Sequence, residues 1–334
     1  MFAEDLLRDF RRDGVTPGSA WTYARRVTSR VARNLPEEAE LVRSAAATAF
    51  VVFALQFGAA LLLSWAFGRG VGVPYLIASS VVLLLASFWI LTHIGLLHGE
   101  PATRPLRRIP FPVLITLVRL VSVPAIVLLI RDHVWGVVVW VFAASASTDV
   151  IDGVLARALH QESPIGSVLD PAVDVAFNSA VFTALALAGA LPWWVTALML
   201  VRYGLLVFGT CYLYVFHGPV RIQPTAFGKL TGLLTSVLLG LLLLGLASWS
   251  DAVRGRLKEV FDIGLGLLAF ATIIQVVFIG IANLKSVETR DLEDTVLARR
   301  AGLASGTIAS SAKSASSKEP VAGKIVGDVR WPRG

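Results

Sequence analysis

Predominantly apolar runs of about 20 residues, the length a helix needs to cross the roughly 30 Å hydrocarbon core of a bilayer, recur along this chain. They occupy approximately residues 46–67, 74–97, 112–130, 134–156, 168–191, 193–215, 227–248 and 261–284. Polar and apolar residues do not alternate within them, which argues against a membrane barrel and for helices, the other structure that satisfies its own backbone in lipid. The expected fold is therefore all-α and polytopic. Composition agrees: the 334 residues are 55% hydrophobic and only 16% charged, too apolar for an ordinary soluble domain.

Lysine and arginine set the orientation. They crowd into the N-terminal segment (Arg8, Arg11, Arg12, Arg25, Arg26, Arg30, Arg33, Arg43) and the stretch with Arg104, Arg107 and Arg108. If the first two spans form a hairpin, both lie on one side, and Lys285, Arg290, Arg299 and Arg300 fall there too. The positive-inside rule makes that side cytoplasmic, with both termini on it, and the cell (inner) membrane the expected location. Arg254, Arg256 and Lys258 stand against this pattern on the predicted outer face.

The net charge of +7 beside a long apolar body matches inner loops and anionic lipid rather than nucleic acid, whose usual interleaved aromatics are absent. Residues 1–45 are polar and arginine-rich, so no cleavable leader is expected. Within them, Trp21 to Arg33 mixes aromatic and β-branched residues with arginines, which suits a helix on the inner leaflet or an ordinary solvated basic face. The single cysteine, Cys211, reads as a packing residue, and Trp193 and Trp194 as an interfacial anchor. Beyond about residue 303 the Ala/Ser/Gly/Lys composition predicts a disordered tail.

The chemistry concentrates between Asp149 and Asp174. Asp149 and Asp152 are three apart near the end of one span, and Asp170 and Asp174 four apart near the start of the next, so each pair shares a helix face. Carboxylates in membrane helices are costly and functional by default. Four of them converging would repel one another, and a divalent cation relieves that repulsion. All-oxygen ligands without His or Cys favour Mg²⁺ or Mn²⁺ over zinc. Gly153 and Ala156 leave room for a ligand near the acidic face, and Arg157 is placed to meet a phosphate.

Asp149, Asp152, Gly153, Ala156, Arg157, Gly166, Asp170 and Asp174, eight defined residues over 26 positions, resemble in full the signature of the CDP-alcohol phosphotransferase family. The resemblance covers about residues 109–284 and implies a catalytic six-helix unit, preceded by two additional spans over 46–97 and followed by a cytoplasmic tail over 285–334. It further implies transfer of a phosphatidyl group from CDP-diacylglycerol to an alcohol, with two bound divalent cations and a homodimer. By resemblance, Asp149, Asp152, Asp170 and Asp174 bind the metals, and Asp174 is also the general base. Asp152, Gly153, Ala156, Arg157 and Gly166 would form the CDP pocket.

Thr116-Leu117-Val118-Arg119 with Pro124, Leu169-Asp170-Pro171 and Gly228-Lys229 are similar to phosphatidylglycerophosphate and CMP-forming cardiolipin synthases. They favour glycerol 3-phosphate as acceptor over phosphatidylglycerol, inositol phosphate or serine. Val175, Thr231 and Gly232 depart from that pattern, which expects a lysine at the first position and a basic residue and threonine at the others. Lys229 and Arg221 are acceptor-phosphate candidates, or ordinary positive-inside charge. Arg119 and Arg202 lie within spans and are expected to face the interior toward an acidic, carbonyl or phosphate partner. His160 reads as a solvated residue. An ion-coupled transporter is the rival class, but it calls for midplane acids and repeated halves, which the sequence lacks.

Overall fold

The computed structural model describes residues 9, 10, 12, 14, 16–34, 39–93, 108–158, 164–217, 226–250, 253, 255 and 257–282. Within these stretches, the side chains of 30–34, 149–158, 164, 167, 213–217, 226, 227 and 229 lie outside the description. The helices are α1 Pro17–Asn34, α2 Ala39–Phe67, α3 Arg69–Thr92, α4 Phe111–Arg131, α5 Trp135–Ala158, α6 Pro164–Leu187, α7 Trp193–His217 and α8 Ala226–Ser248. A ninth, α9, runs over Leu257–Ala282. By internal contacts the chain divides into Met1–Gly280 and Ile281–Gly334; the tail expected to be disordered falls outside the described residues.

Each predicted run coincides with one helix, and among the described residues seven helices are long and apolar enough to cross a membrane. In the eighth, α5, the described side chains form the apolar stretch Trp135–Thr148, and the helix continues through the aspartates to Ala158. Large apolar side chains point outward along the bundle, among them Phe50, Trp65, Leu84 and Phe88. That exposure would be a liability in water and is ordinary against lipid, where both sides of the interface are apolar.

The bundle is organised around α4. Helices α2, α3, α5 and α6 all pack on it, and two buried clusters meet along its length. One joins Leu83, Ile90, Val113, Leu117, Ile165 and Leu169, tying the α2–α3 pair to the starts of α4 and α6. The other joins Ile126, Leu129, Phe142, Phe182, Met199, Leu243 and Leu265 from α4 to α9. Pro110 and Pro112 open α4, where the missing N–H groups would have had no helical partner anyway. At the same end, the Ile109 N–H donates to Ser44 Oγ at 2.9 Å, fastening α2 to the start of α4.

Helices α2 and α3 form a tight hairpin. Gly68 turns the chain with φ 85°, a left-handed conformation that favours glycine. At Gly72 the two backbones come so close that a Cβ would sit 2.5 Å from the Ala60 carbonyl oxygen. Deeper in the hairpin, Gln56 Nε2 donates to Ser80 Oγ at 2.9 Å, the polar cross-link expected between helices in lipid.

One sequence expectation changes. Cys211 is exposed on α7 and does not pack in the core, because its helix face turns toward the surround. The basic stretch near residue 258 has a structural use: Lys258 Nζ donates at 3.3 Å to the carbonyl of Gly189 in the α6–α7 turn, where Gly189 adopts φ 71°. Trp193 and Trp194 stand half-exposed at the start of α7, as an interfacial anchor would. The Trp194 ring also covers Gly266 of α9, where a Cβ would come within 2.3 Å of it.

Candidate active site

Asp170 and Asp174 project from one face of α6 toward α4. Thr116 Oγ1 lies 2.7 Å from Asp170 Oδ1 and 3.1 Å from the Pro112 carbonyl oxygen. A hydroxyl has one proton to give, and the shorter approach to a charged acceptor directs it to the carboxylate. One turn further, Arg119 Nη2 lies 3.0 Å from Asp174 Oδ1, with the arginine side chain 3% and the aspartate 42% exposed. A guanidinium buried in lipid demands an anionic partner, and Asp174 meets the expectation set for Arg119.

These pairings also fix topology. The pairs 116–170 and 119–174 advance in the same sense along both helices, so α4 and α6 run parallel. Helix α5, which connects them in sequence, packs on α4 and touches α6 through Phe142 and Phe177, whose ring centroids are 6.2 Å apart. Pro171, directly after Asp170, denies α6 one backbone donor in the acidic turn. The Asn178 side chain donates back to the Asp174 carbonyl at 2.9 Å.

Below this face lies a cavity of about 300 Å³, bounded by α4 through α8. Arg119, Asp174, Asn178, Ser145, Arg202 and Tyr203 line it, together with Val175 and Gly232, two of the positions that depart from the synthase pattern. Arg202 is 9% exposed. Its Nη1 is 4.0 Å from Met199 Sδ, and its guanidinium carbon lies 5.2 Å from the Tyr203 ring centre. Unlike Arg119, it pairs with no carboxylate among the described residues.

Of the sequence-predicted site, Asp170, Asp174 and the partly buried Gly166 are described in full. Asp149, Asp152, Gly153, Ala156 and Arg157 lie on helical backbone in α5, but their side chains are outside the description, as is that of Lys229 in α8. Arg221 and His160 fall wholly outside it. Among the described residues no group of three or more His, Cys, Asp or Glu is assembled. Thr116 and Asn178 were not assigned contacts from the sequence. The signal for Asn178 was its position four residues after Asp174 on the same helix face. The Thr116 contact needs the interhelical register, which no local pattern contains.

The fold and this site define a polytopic helical membrane protein with carboxylates held by buried partners within its bundle. The chain belongs to the CDP-alcohol phosphatidyltransferase family, which matches residues 110–287, more than half of its length. It is 36% identical over 133 residues to a putative cardiolipin synthase of Mycobacterium tuberculosis, covering 39% of this chain and 62% of that one. It is 37% identical over 95 residues to a probable phosphatidylglycerophosphate synthase of the same species, covering 27% and 46%. A CDP-diacylglycerol–glycerol-3-phosphate 3-phosphatidyltransferase of Pseudomonas fluorescens is 42% identical over 66 residues, 19% of this chain and 34% of that one. The chain thus spans less than two thirds of the curated relatives it matches. No solved structure matches it.

Proposed function

We propose that this chain transfers a phosphatidyl group from CDP-diacylglycerol to the hydroxyl of an alcohol, releasing CMP, with glycerol 3-phosphate as the favoured acceptor. The observation that carries the reading is the pair of aspartates one turn apart on α6, each held by its own partner on α4. Asp170 and Asp174 offer hard oxygen donors, a set that fits Mg²⁺ or Mn²⁺. Asp149, Asp152, Asp170 and Asp174 would hold two such ions. Bound there, they would clamp the diphosphate and offset the charge that develops as CMP departs.

The chain's own residues do the rest. Thr116 fixes the Asp170 carboxylate, and Arg119 orients Asp174 through Oδ1. We assign the acceptor's hydroxyl proton to Asp174 Oδ2. As that proton leaves, the acceptor oxygen bonds to the phosphatidyl phosphorus, and the bond from this phosphorus to the bridging oxygen of the diphosphate breaks. The electron pair departs with CMP. Asp152, Gly153, Ala156, Arg157 and Gly166 are assigned to the nucleotide, and Lys229 and Arg221 to the acceptor. The site and both termini are assigned to the cytoplasmic face of the cell membrane, where nucleotide and metal are available, and the assembly to a homodimer.

The deciding experiment incubates purified protein with CDP-diacylglycerol, Mn²⁺ and a panel of alcohols and follows CMP. Release with glycerol 3-phosphate is expected. Release with serine or inositol phosphate, and none with glycerol 3-phosphate, would refute the acceptor; no release with any alcohol would refute the transferase.

A further inference from the structure

We infer that the α2–α3 hairpin and the start of α4 form a binding site for one anionic phospholipid. One acyl chain enters an apolar crevice between the three helices, and the headgroup phosphate meets Arg43 and Arg108 at its rim. The inference does not depend on the proposed transferase reading. Eight of the ten residues lining the crevice belong to the hairpin, which lies outside the family match at 110–287, so the site is a property of this chain and not of its catalytic unit.

The crevice measures about 150 Å³, and its walls are aliphatic apart from Thr48 and Ser87. The Thr48 hydroxyl is already spent on the Ser44 carbonyl, to which it donates at 2.9 Å. An apolar space of this size does not hold water, and its walls forfeit dispersion contacts unless an apolar group fills it. Leu117, 2% exposed, closes the inner end, whereas Ala46 is exposed, so the crevice opens to the surround of the bundle. In a membrane the apolar groups at that mouth are acyl chains. At roughly 30 Å³ for a group the size of a water molecule, the space takes about five methylenes, a segment of one chain.

The charge at the rim selects the lipid. The hydrogen bond from the Ile109 N–H to Ser44 Oγ joins the immediate neighbours of Arg108 and Arg43, which brings both arginines to one edge of the crevice. Arg43 stands three residues before Ala46, on the same face of α2. Both arginines are exposed, and neither pairs with a carboxylate among the described residues. Arg43 precedes the apolar run that Ala46 begins, so charge stands at headgroup level and the crevice at acyl-chain level, the order of groups in a phospholipid. Basic pockets between membrane helices recognise anionic headgroups, and the guanidinium fork matches a phosphate. Two positive charges call for a headgroup of net negative charge rather than a zwitterion.

The test is the thermal unfolding midpoint of the full-length protein in non-ionic detergent micelles without CDP-diacylglycerol. Separate arms add dioleoyl phosphatidylglycerol, dioleoyl phosphatidylcholine and glycerophosphoglycerol, the last a headgroup without chains. Phosphatidylglycerol should raise the midpoint saturably, phosphatidylcholine much less, and glycerophosphoglycerol not at all. Arg43→Gln combined with Arg108→Gln should weaken that binding by about 25-fold, about 5-fold for each arginine beside an anionic headgroup. Ala49→Leu fills the crevice and leaves both arginines in place, so it should abolish the saturable shift without lowering the midpoint measured in detergent alone. Equal responses to the two phospholipids, a response to glycerophosphoglycerol, or no response at all overturns the inference. So does unchanged affinity in the double arginine variant or in Ala49→Leu. Should Ala49→Leu fail to fold, Ala45→Leu and the three arms on the unaltered protein decide. Lipid binding that depends on these residues, in a protein that releases no CMP, would keep the site and sink the transferase; CMP release without such binding would do the reverse.

Discussion

Asp174 faces two demands, since it pairs with a buried arginine and is assigned a proton. Asp174→Asn keeps its volume and removes its charge. A positioned base contributes about 10²- to 10⁴-fold, so turnover should fall by at least that range. Binding of CDP-diacylglycerol should suffer less. Near-normal turnover in folded Asp174→Asn protein would remove it from the base role. Thr116→Val removes the hydroxyl from Asp170 while keeping the shape. Partners that orient metal ligands typically contribute about 10- to 100-fold in affinity, so the Mg²⁺ or Mn²⁺ concentration needed for half-activation should rise by that factor. An unchanged metal requirement would leave Thr116 with a packing role only. The spacing of the aspartates was legible in the sequence because helical periodicity alone puts residues four apart on one face. The partners of Asp170 and Asp174 were not, since a contact across 54 residues depends on how two helices are set against each other.

Among the elements, α4 carries most of the organisation, and the α2–α3 hairpin leans on it. The hairpin was readable as two spans, but its closeness was not: Gly72 looks like any helical glycine until the Ala60 backbone is found against it. Gly72→Ala should therefore lower stability by about 1–3 kcal/mol, the usual cost of overpacking, seen as a lower thermal midpoint. Gly70→Ala is the matched control, because nothing lies within 4 Å of a Cβ there. Equal midpoints for the two variants would mean that the hairpin opens without cost. Of the basic residues near 258 that stand against the charge count, Lys258 is engaged by a turn carbonyl, a contact no tally of loop charges contains.

For the whole molecule, topology and metal dependence follow from the same acidic turn. Thorough chelation should abolish CMP release, and Mg²⁺ or Mn²⁺ should restore it; full turnover after chelation would sink the two-metal assignment. A cysteine introduced between residues 159 and 163 should be labelled from the inside of oriented vesicles and not from outside intact cells. The experiment needs a Cys211→Ala background, since the natural thiol is exposed. Labelling from outside would invert the assigned orientation. The parallel pairing of α4 with α6 has a further consequence, for the changes this lineage can tolerate. Each residue added to or removed from a helix turns everything beyond it by about 100°. One such change between Pro112 and Thr116 would swing both Thr116 and Arg119 off their aspartates together, whereas the lipid-facing residues of α4 are replaceable one by one. The lipid-facing positions in the first turns of α4 should therefore drift freely in letter, and these turns hardly at all in length.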